Sequence, residues 1–207
     1  MSSARFLCCC VMLCWVSTAA CSEADRDQQV QPERVIQAVG VEQGMTLGEI
    51  GAGRGYFTVK LARAVGSTGR VFANDIDSGA LAALEKRCRR EDLHNVETVL
   101  GEYVDPLLPD RALDMVFIVY AFHDIDERVA LLENLARSLR KGATVVVLDE
   151  DAEVTGDDHF LGPGTIIRLF REAGYERVPV EDFLERNVLL VFRLSESSEP
   201  DYPTESG

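Results

Sequence analysis

The 207-residue chain carries 35 acidic against 21 basic side chains, a formal net charge of −14. That balance excludes nucleic acid as a partner, because neutralising a phosphate backbone takes a face rich in Lys and Arg, and only Lys60, Lys86 and Lys141 represent lysine. Hydrophobic residues at 46% and charged residues at 27% suit one globular domain with a proper core, which points to a small-molecule or protein partner.

Five of the six cysteines (Cys8, Cys9, Cys10, Cys14 and Cys21) fall in the first 21 residues, so they form no disulfide framework. Arg5, the apolar stretch from Phe6 to Val16 and the small residues "STAA" before Cys21 are the parts of an export signal. The apolar stretch is shorter than the about 20 residues that a membrane-spanning helix needs. The end of the leader resembles a bacterial lipoprotein signal, in which a Cys after two small residues is lipidated and begins the mature chain. Ala19 and Ala20 fit that pattern, while Thr18 stands where Leu is usual. Residues 1–21 are therefore expected to be a signal peptide with lipidation at Cys21; simple cleavage and a retained anchor are the alternatives. An exported protein follows, periplasmic or anchored to the membrane as a lipoprotein.

Residues 22–31, "SEADRDQQVQ", are polar and aperiodic and read as a tether. A helix is expected from Pro32, with Val35, Ile36 and Val39 on one face and Gly40 at its end. "GMTLGEIGA" reads as a strand and "GYFTVKLARAVG" as a helix with Phe57, Leu61 and Val65 on one stripe. "VFAND" is a strand, "SGALAALEKRCRRE" a helix, "VETVLGE" a strand and "LDMVFIVYAF" a buried strand. "DERVALLENLARSLRKG" reads as one amphipathic helix ending at Gly142, followed by the buried strand "ATVVVLDED" and the helix "GTIIRLFREAGY". "ERVPVEDF" and "VLLVFRL" are strands joined through "LERN", and residues 195–207 form a disordered tail. Five strand–helix alternations predict a doubly wound, mostly parallel α/β sheet with helices on both faces. The short final connection predicts an antiparallel last strand in a hairpin at the sheet edge.

In such sheets ligands sit beyond the carboxyl ends of the strands, where strand order reverses. The first strand–turn–helix, "EIGAGRGYF", is therefore the expected site. Gly51 and Gly53 permit a sharp bend and close backbone approach, and Gly55 opens the helix. Dinucleotide binders carry G-x-G-x-x-G, but here the spacing is G-x-G-x-G with Glu49 two residues before it. A carboxylate there repels a pyrophosphate and suits an ammonium group. Asp75, at the end of the second strand, suits the two hydroxyls of a ribose. An ammonium at one end and a ribose at the other describe S-adenosylmethionine better than NAD.

These residues resemble the class I S-adenosylmethionine-dependent methyltransferases, nearest to the ubiquinone/menaquinone-biosynthesis type. The resemblance covers about residues 32–194, a methyltransferase-like domain, and is carried by "GMTLGEIGAGRGYFTVKLA", "VFANDID", "VLGEYVDPLLPDRALDMVFIVYAFHDI", "LRKGATVVVLDED" and "FREAGYERV". It implies a Rossmann-like sheet of seven strands with the last antiparallel. It also implies that Glu49, Gly51, Gly53 and Gly55 cradle the methionine part of the cofactor and that Asp75 holds the ribose. Glu102 falls near the adenine amino group and Tyr120 on the cofactor floor.

Methyl transfer from a sulfonium is an in-line displacement that depends chiefly on alignment, with no metal or covalent intermediate required. His123 in "YAFHDID" is the candidate base for a phenol or enol acceptor, with a packing histidine as the plainer reading. Asp124 reads as a helix start, with orienting the His123 imidazole as the alternative, Asp77 as a helix cap, His94 and His159 as surface residues and Cys88 as a free surface thiol. Asp149, Glu150 and Asp151, with Asp124, read as a solvated acidic rim rather than a cation site, so no metal is expected. The sequence supports S-adenosylmethionine-dependent methyl transfer to a small-molecule or lipid-like acceptor. Alternatives are a non-catalytic nucleoside-binding module, an envelope interaction protein and, more weakly, a dehydrogenase. Acceptor and oligomeric state are not written in the sequence.

Overall fold

The computed structural model describes residues 17–181 and 183–198, with side chains from residue 23 onward. Most of the expected leader, the side chain of Cys21 and residues 199–207 of the expected tail lie outside that range. Among the described residues, no helix is long and apolar enough to cross a membrane.

The expected tether is instead helical. α1 spans Ser17–Val30 and leads into α2 at Pro32–Ala38. No apolar stripe announces α1; it is held by specific tertiary partners. Val30 is fully buried. Glu23 pairs with Arg87 at 2.9 Å, and Asp27 accepts from Lys60 Nζ at 2.9 Å and from the Tyr56 hydroxyl at 2.7 Å. At the other end of the chain, Ser195 of the expected tail donates its hydroxyl to Gly174 O at 2.9 Å.

The alternation then runs β1 (Thr46–Ile50), α3 (Thr58–Val65), β2 (Arg70–Asp75), α4 (Ser78–Arg90), β3 (Val96–Leu100) and β4 (Leu113–Val119). It continues through α5 (Arg128–Leu135), β5 (Leu139–Glu150), α6 (Ala152–Thr155), α7 (Pro163–Glu172), β6 (Tyr175–Val178) and β7 (Asn187–Leu194). The seven strands form one sheet in the order β3-β2-β1-β4-β5-β7-β6. β7 runs antiparallel to both neighbours, and the other pairings are parallel. The reversed last strand is thus present, and its antiparallel pair with β6 stands at the sheet edge as expected, with β7 on the inner side between β5 and β6.

Alternate residues of the central strands feed opposite cores, as the two-residue period of a strand requires. Val116, Ile118, Val145 and Val147 pack with Phe122, Ile166 and Phe170 on one face. Phe117, Val119, Val146 and Leu148 pack with Phe57, Leu61 and Val35 on the other.

Three expectations need correction. The helix expected to reach Gly142 ends at Leu135, followed by a short 3₁₀ turn, because Leu139 pairs with Leu113 and is already a strand residue. Buried Ser138 seals that turn by donating to Leu108 O at 3.1 Å. The connection before β7 is longer than "LERN", since β6 stops at Val178 before Pro179, which has no N–H for a ladder. Cys88 is buried on the inner side of α4 against Leu81 and Leu84, and burial pushes its thiol above the usual range.

Candidate cofactor site

Strand order reverses between β1 and β4, and the expected residues gather at the carboxyl ends of these two strands. All three glycines of the turn have left-handed backbones, with φ of 73°, 54° and 84° at Gly51, Gly53 and Gly55. Their reasons differ. A Cβ on Gly51 would stand 2.3 Å from Ala121 Cβ, and one on Gly55 2.2 Å from Leu84 Cδ1. Gly53 meets nothing within 4 Å, so its bare Cα faces open space. That is the position where a ligand can lie against the backbone.

Asp75 is tied to this turn. Gly53 N–H donates to one carboxylate oxygen at 2.7 Å and Asp77 N–H to the other at 2.9 Å. Each oxygen keeps lone-pair capacity for a further donor, as two ribose hydroxyls require. Asp77 caps α4, accepting from Gly79 and Ala80 N–H as expected.

Beside the turn lies a cavity of about 540 Å³, lined by Gly51, Asp75, Glu102 and Tyr120 among the expected residues. Asn74, Ile76, Tyr103, Asp124 and Ile125 complete much of its wall. Ile76 and Tyr103 are half or more exposed, leaving flat apolar surface at the end where an adenine is expected. Tyr120 has φ 50°, a strained conformation for a non-glycine residue. Its hydroxyl donates to Asn187 at 2.5 Å, fixing the ring at the cavity wall.

Glu49, Gly53, Gly55 and His123 lie outside the cavity lining. Glu49 is 2% exposed at the end of β1. Burial pushes its carboxyl up to about 8, against the hydrogen bond from Thr58 and the charge of Arg26 that favour ionisation. Arg26 comes from α1 and stacks between two rings, its guanidinium carbon 4.1 Å from the Tyr56 centroid and 4.5 Å from that of Tyr120. A cation is therefore already drawn to the end of the site where an ammonium was expected. Sequence reasoning missed Arg26, because nothing in an aperiodic polar stretch marks which residue turns inward.

The side chain of His123 is 6% exposed, with Nδ1 2.8 Å from buried Asp149 and Nε2 3.3 Å from Asp124. Its ring also meets the edges of His159 and Phe160 at 4.8 and 4.5 Å. Burial works against the imidazolium, but the hydrogen bond and charge of Asp149, with the charge of Asp124, hold His123 above the usual imidazole range. Two readings are corrected here. Asp124 ends a 3₁₀ turn instead of starting α5, and the acidic rim divides, with Asp149 buried and Asp151 capping α6. His159 is exposed as expected but belongs to this cluster.

Residues 48–142 match the methyltransferase domain family. The chain is 27% identical over 123 residues to a demethylmenaquinone methyltransferase of Staphylococcus saprophyticus, an alignment covering 59% of this chain and 52% of that protein. It is 30% identical over 115 residues to a ubiquinone/menaquinone biosynthesis C-methyltransferase of Salmonella arizonae, covering 55% and 46%. The chain thus spans about half the length of these curated relatives. Its fold is similar to that of a SAM-dependent methyltransferase from Aquifex aeolicus, with a TM-score of 0.77 at 24% identity over 81% of this chain and 92% of that one. It is also similar to the [4+2]-cyclase SpnF, with a TM-score of 0.65 at 20% identity over 77% and 59%. The match to the methyltransferase domain family thus falls on the glycine turn, Asp75 and β4, within a seven-stranded sheet whose fold is similar to that of the Aquifex aeolicus protein.

Proposed function

We propose that this protein transfers the methyl group of S-adenosylmethionine to a small-molecule or lipid-like acceptor, a quinol-type ring being the first class to test. The observation that carries the reading is Asp75, held at the mouth of the cavity by Gly53 N–H at 2.7 Å with acceptor capacity to spare. Support comes from the similarity to a demethylmenaquinone methyltransferase and to a ubiquinone/menaquinone biosynthesis C-methyltransferase.

When bound, the cofactor supplies an electrophilic methyl group on a sulfonium. The chain's own work is positioning. Gly53 leaves room for close backbone approach, Asp75 orients the ribose hydroxyls, and Glu49 with Arg26 offers paired charges to the ammonium and carboxylate of the amino-acid end. Ile76, Glu102 and Tyr103 hold the adenine end, and Tyr120 forms the floor. Fixing the sulfur–methyl axis toward an acceptor in the cavity can supply about 7–11 kcal/mol of barrier reduction by alignment alone.

The export leader belongs to the same proposal: lipidation at Cys21 would place the domain at an envelope membrane, where a lipid-like acceptor resides. Calorimetric titration of S-adenosylmethionine into the wild type and Asp75→Ala is the direct test. Unchanged affinity in the variant sinks the assignment. Binding without methylated product across quinols, phenols and carboxylic acids favours a second reading, a non-catalytic nucleoside-binding module. That reading draws on the [4+2]-cyclase, whose similar fold shows that the architecture does not fix the reaction.

A further inference from the structure

We infer that His123, Asp124 and His159 form a binding site for a divalent transition-metal ion, with zinc the ion that suits them first. Among the described residues, these three each offer a ligand atom, and the atoms all lie within 4.8 Å of one another. Asp124 is central. One of its oxygens is 3.3 Å from His123 Nε2 and the other 3.6 Å from His159 Nε2. A tetrahedral ion with bonds of about 2.0–2.1 Å sets its ligand atoms about 3.4 Å apart, so the set, spread over up to 4.8 Å, must draw in around the ion, which the exposed side chains of Asp124 and His159 allow.

The independent observation is Asp149. It is 2% exposed, sits at the end of a strand otherwise buried and apolar, and places both carboxylate oxygens within 2.9 Å of His123 Nδ1. In the neutral ring a carboxylate at Nδ1 holds the proton there and leaves Nε2 with its lone pair on the Asp124 side, so an ion binding at Nε2 displaces the proton of the imidazolium. This is the arrangement by which proteins orient histidine metal ligands. Burying an acid at the end of a strand costs solvation that packing alone does not recover. Orienting a ligating imidazole gives that cost a purpose.

The mixed nitrogen and oxygen donor set favours a transition ion over calcium or magnesium, which take all-oxygen shells. Three protein ligands also leave a fourth position for water or substrate, as in reactive zinc sites. Of the three, Asp124 lines the cavity and both histidines stand behind it, so an ion they share would sit at the cavity's edge, next to where an acceptor would enter. That last consequence rests on the methyl-transfer reading; the ion site does not. The inference also gives His123 a role other than the base expected from sequence, since Nε2 is the ring atom left to ligate.

The test is calorimetric titration of Zn²⁺ into the full chain after chelator treatment, alkylation of the leader's thiols and dialysis, with Co²⁺ absorption as the geometric readout. The expected result is one ion per chain with visible bands of four-coordinate Co²⁺. His159→Ala, an exposed position whose loss spares the core, should abolish stoichiometric binding. Asp149→Asn should weaken it about 10- to 100-fold while Co²⁺ still occupies the site. No stoichiometric uptake by the wild type, or unchanged affinity in His159→Ala, overturns the inference. S-adenosylmethionine affinity, measured on the same metal-free samples, reports separately on the cofactor site.

Discussion

Thr58 Oγ1 lies 2.5 Å from Glu49 Oε2, and both residues are buried beneath the glycine turn. That single hydroxyl is what the buried carboxyl receives from a side chain, and it does not offset desolvation, which pushes Glu49 up to about 8. At pH 7 this favours the protonated form of Glu49 in the free protein. A ligand ammonium needs the carboxylate, so binding S-adenosylmethionine should expel the proton, about one per chain at pH 7. Calorimetry in buffers of differing ionisation enthalpy reads this directly. Release should vanish above the folded-state value near 8 and be absent in Glu49→Gln at every pH.

The same group ties the stability of the free protein to pH. Between the ordinary carboxyl value of 4.5 and about 8, the unfolded chain has lost this proton and the native chain keeps it. The unfolded state binds fewer protons, so stability from this group is fully present below 4.5 and is lost as pH rises toward 8. Urea midpoints should fall across that window more steeply in the wild type than in Glu49→Gln. Equal slopes would show that Glu49 is ionised in the native protein.

Arg26 should hold the cofactor's carboxylate. Its guanidinium is clamped between Tyr56 and Tyr120, and a charge-assisted contact of this kind is worth about 1.5–3 kcal/mol. Arg26→Ala is expected to weaken S-adenosylmethionine binding by at least about tenfold. The wild type should also prefer S-adenosylmethionine to its decarboxylated form, and the variant should lose that preference. Tighter binding by Arg26→Ala would mean that the guanidinium competes with the ligand ammonium.

The contrast between Arg26 and Asp75 explains how much of the site the sequence disclosed. Asp75 ends an apolar strand and follows the glycine turn at a spacing with a physical meaning, so its place could be read before the fold was known. The strands were legible for the same reason, since runs such as "LDMVFIV" state their burial in composition alone. Arg26 sits in a helix held by scattered ion pairs, and pairing across the chain leaves no period to find. The end of α5 was misread because "LARSLRKG" keeps a helical pattern while Leu139 is captured by its strand partner Leu113. His123 stands out in the sequence, but Asp149 reads together with Glu150 and Asp151, since residues at the end of a strand give no sign of which of them turns inward.

The three turn glycines should separate folding from binding. Gly51 and Gly55 are fixed by neighbours, with added Cβ atoms 2.3 Å from Ala121 and 2.2 Å from Leu84. Left-handed strain and overlap together should destabilise Gly51→Ala or Gly55→Ala by about 2–5 kcal/mol. Gly53 carries only the backbone strain, about 1–2 kcal/mol, since its Cβ position is open. Its methyl would instead project into the open space that the proposed cofactor would occupy. Gly53→Ala should therefore lower the unfolding midpoint least of the three and yet weaken S-adenosylmethionine binding by about tenfold or more, because a direct overlap at the ligand leaves nothing to relax but the ligand itself. Equal affinity in Gly53→Ala would place the cofactor away from this turn and remove the reason for the bend.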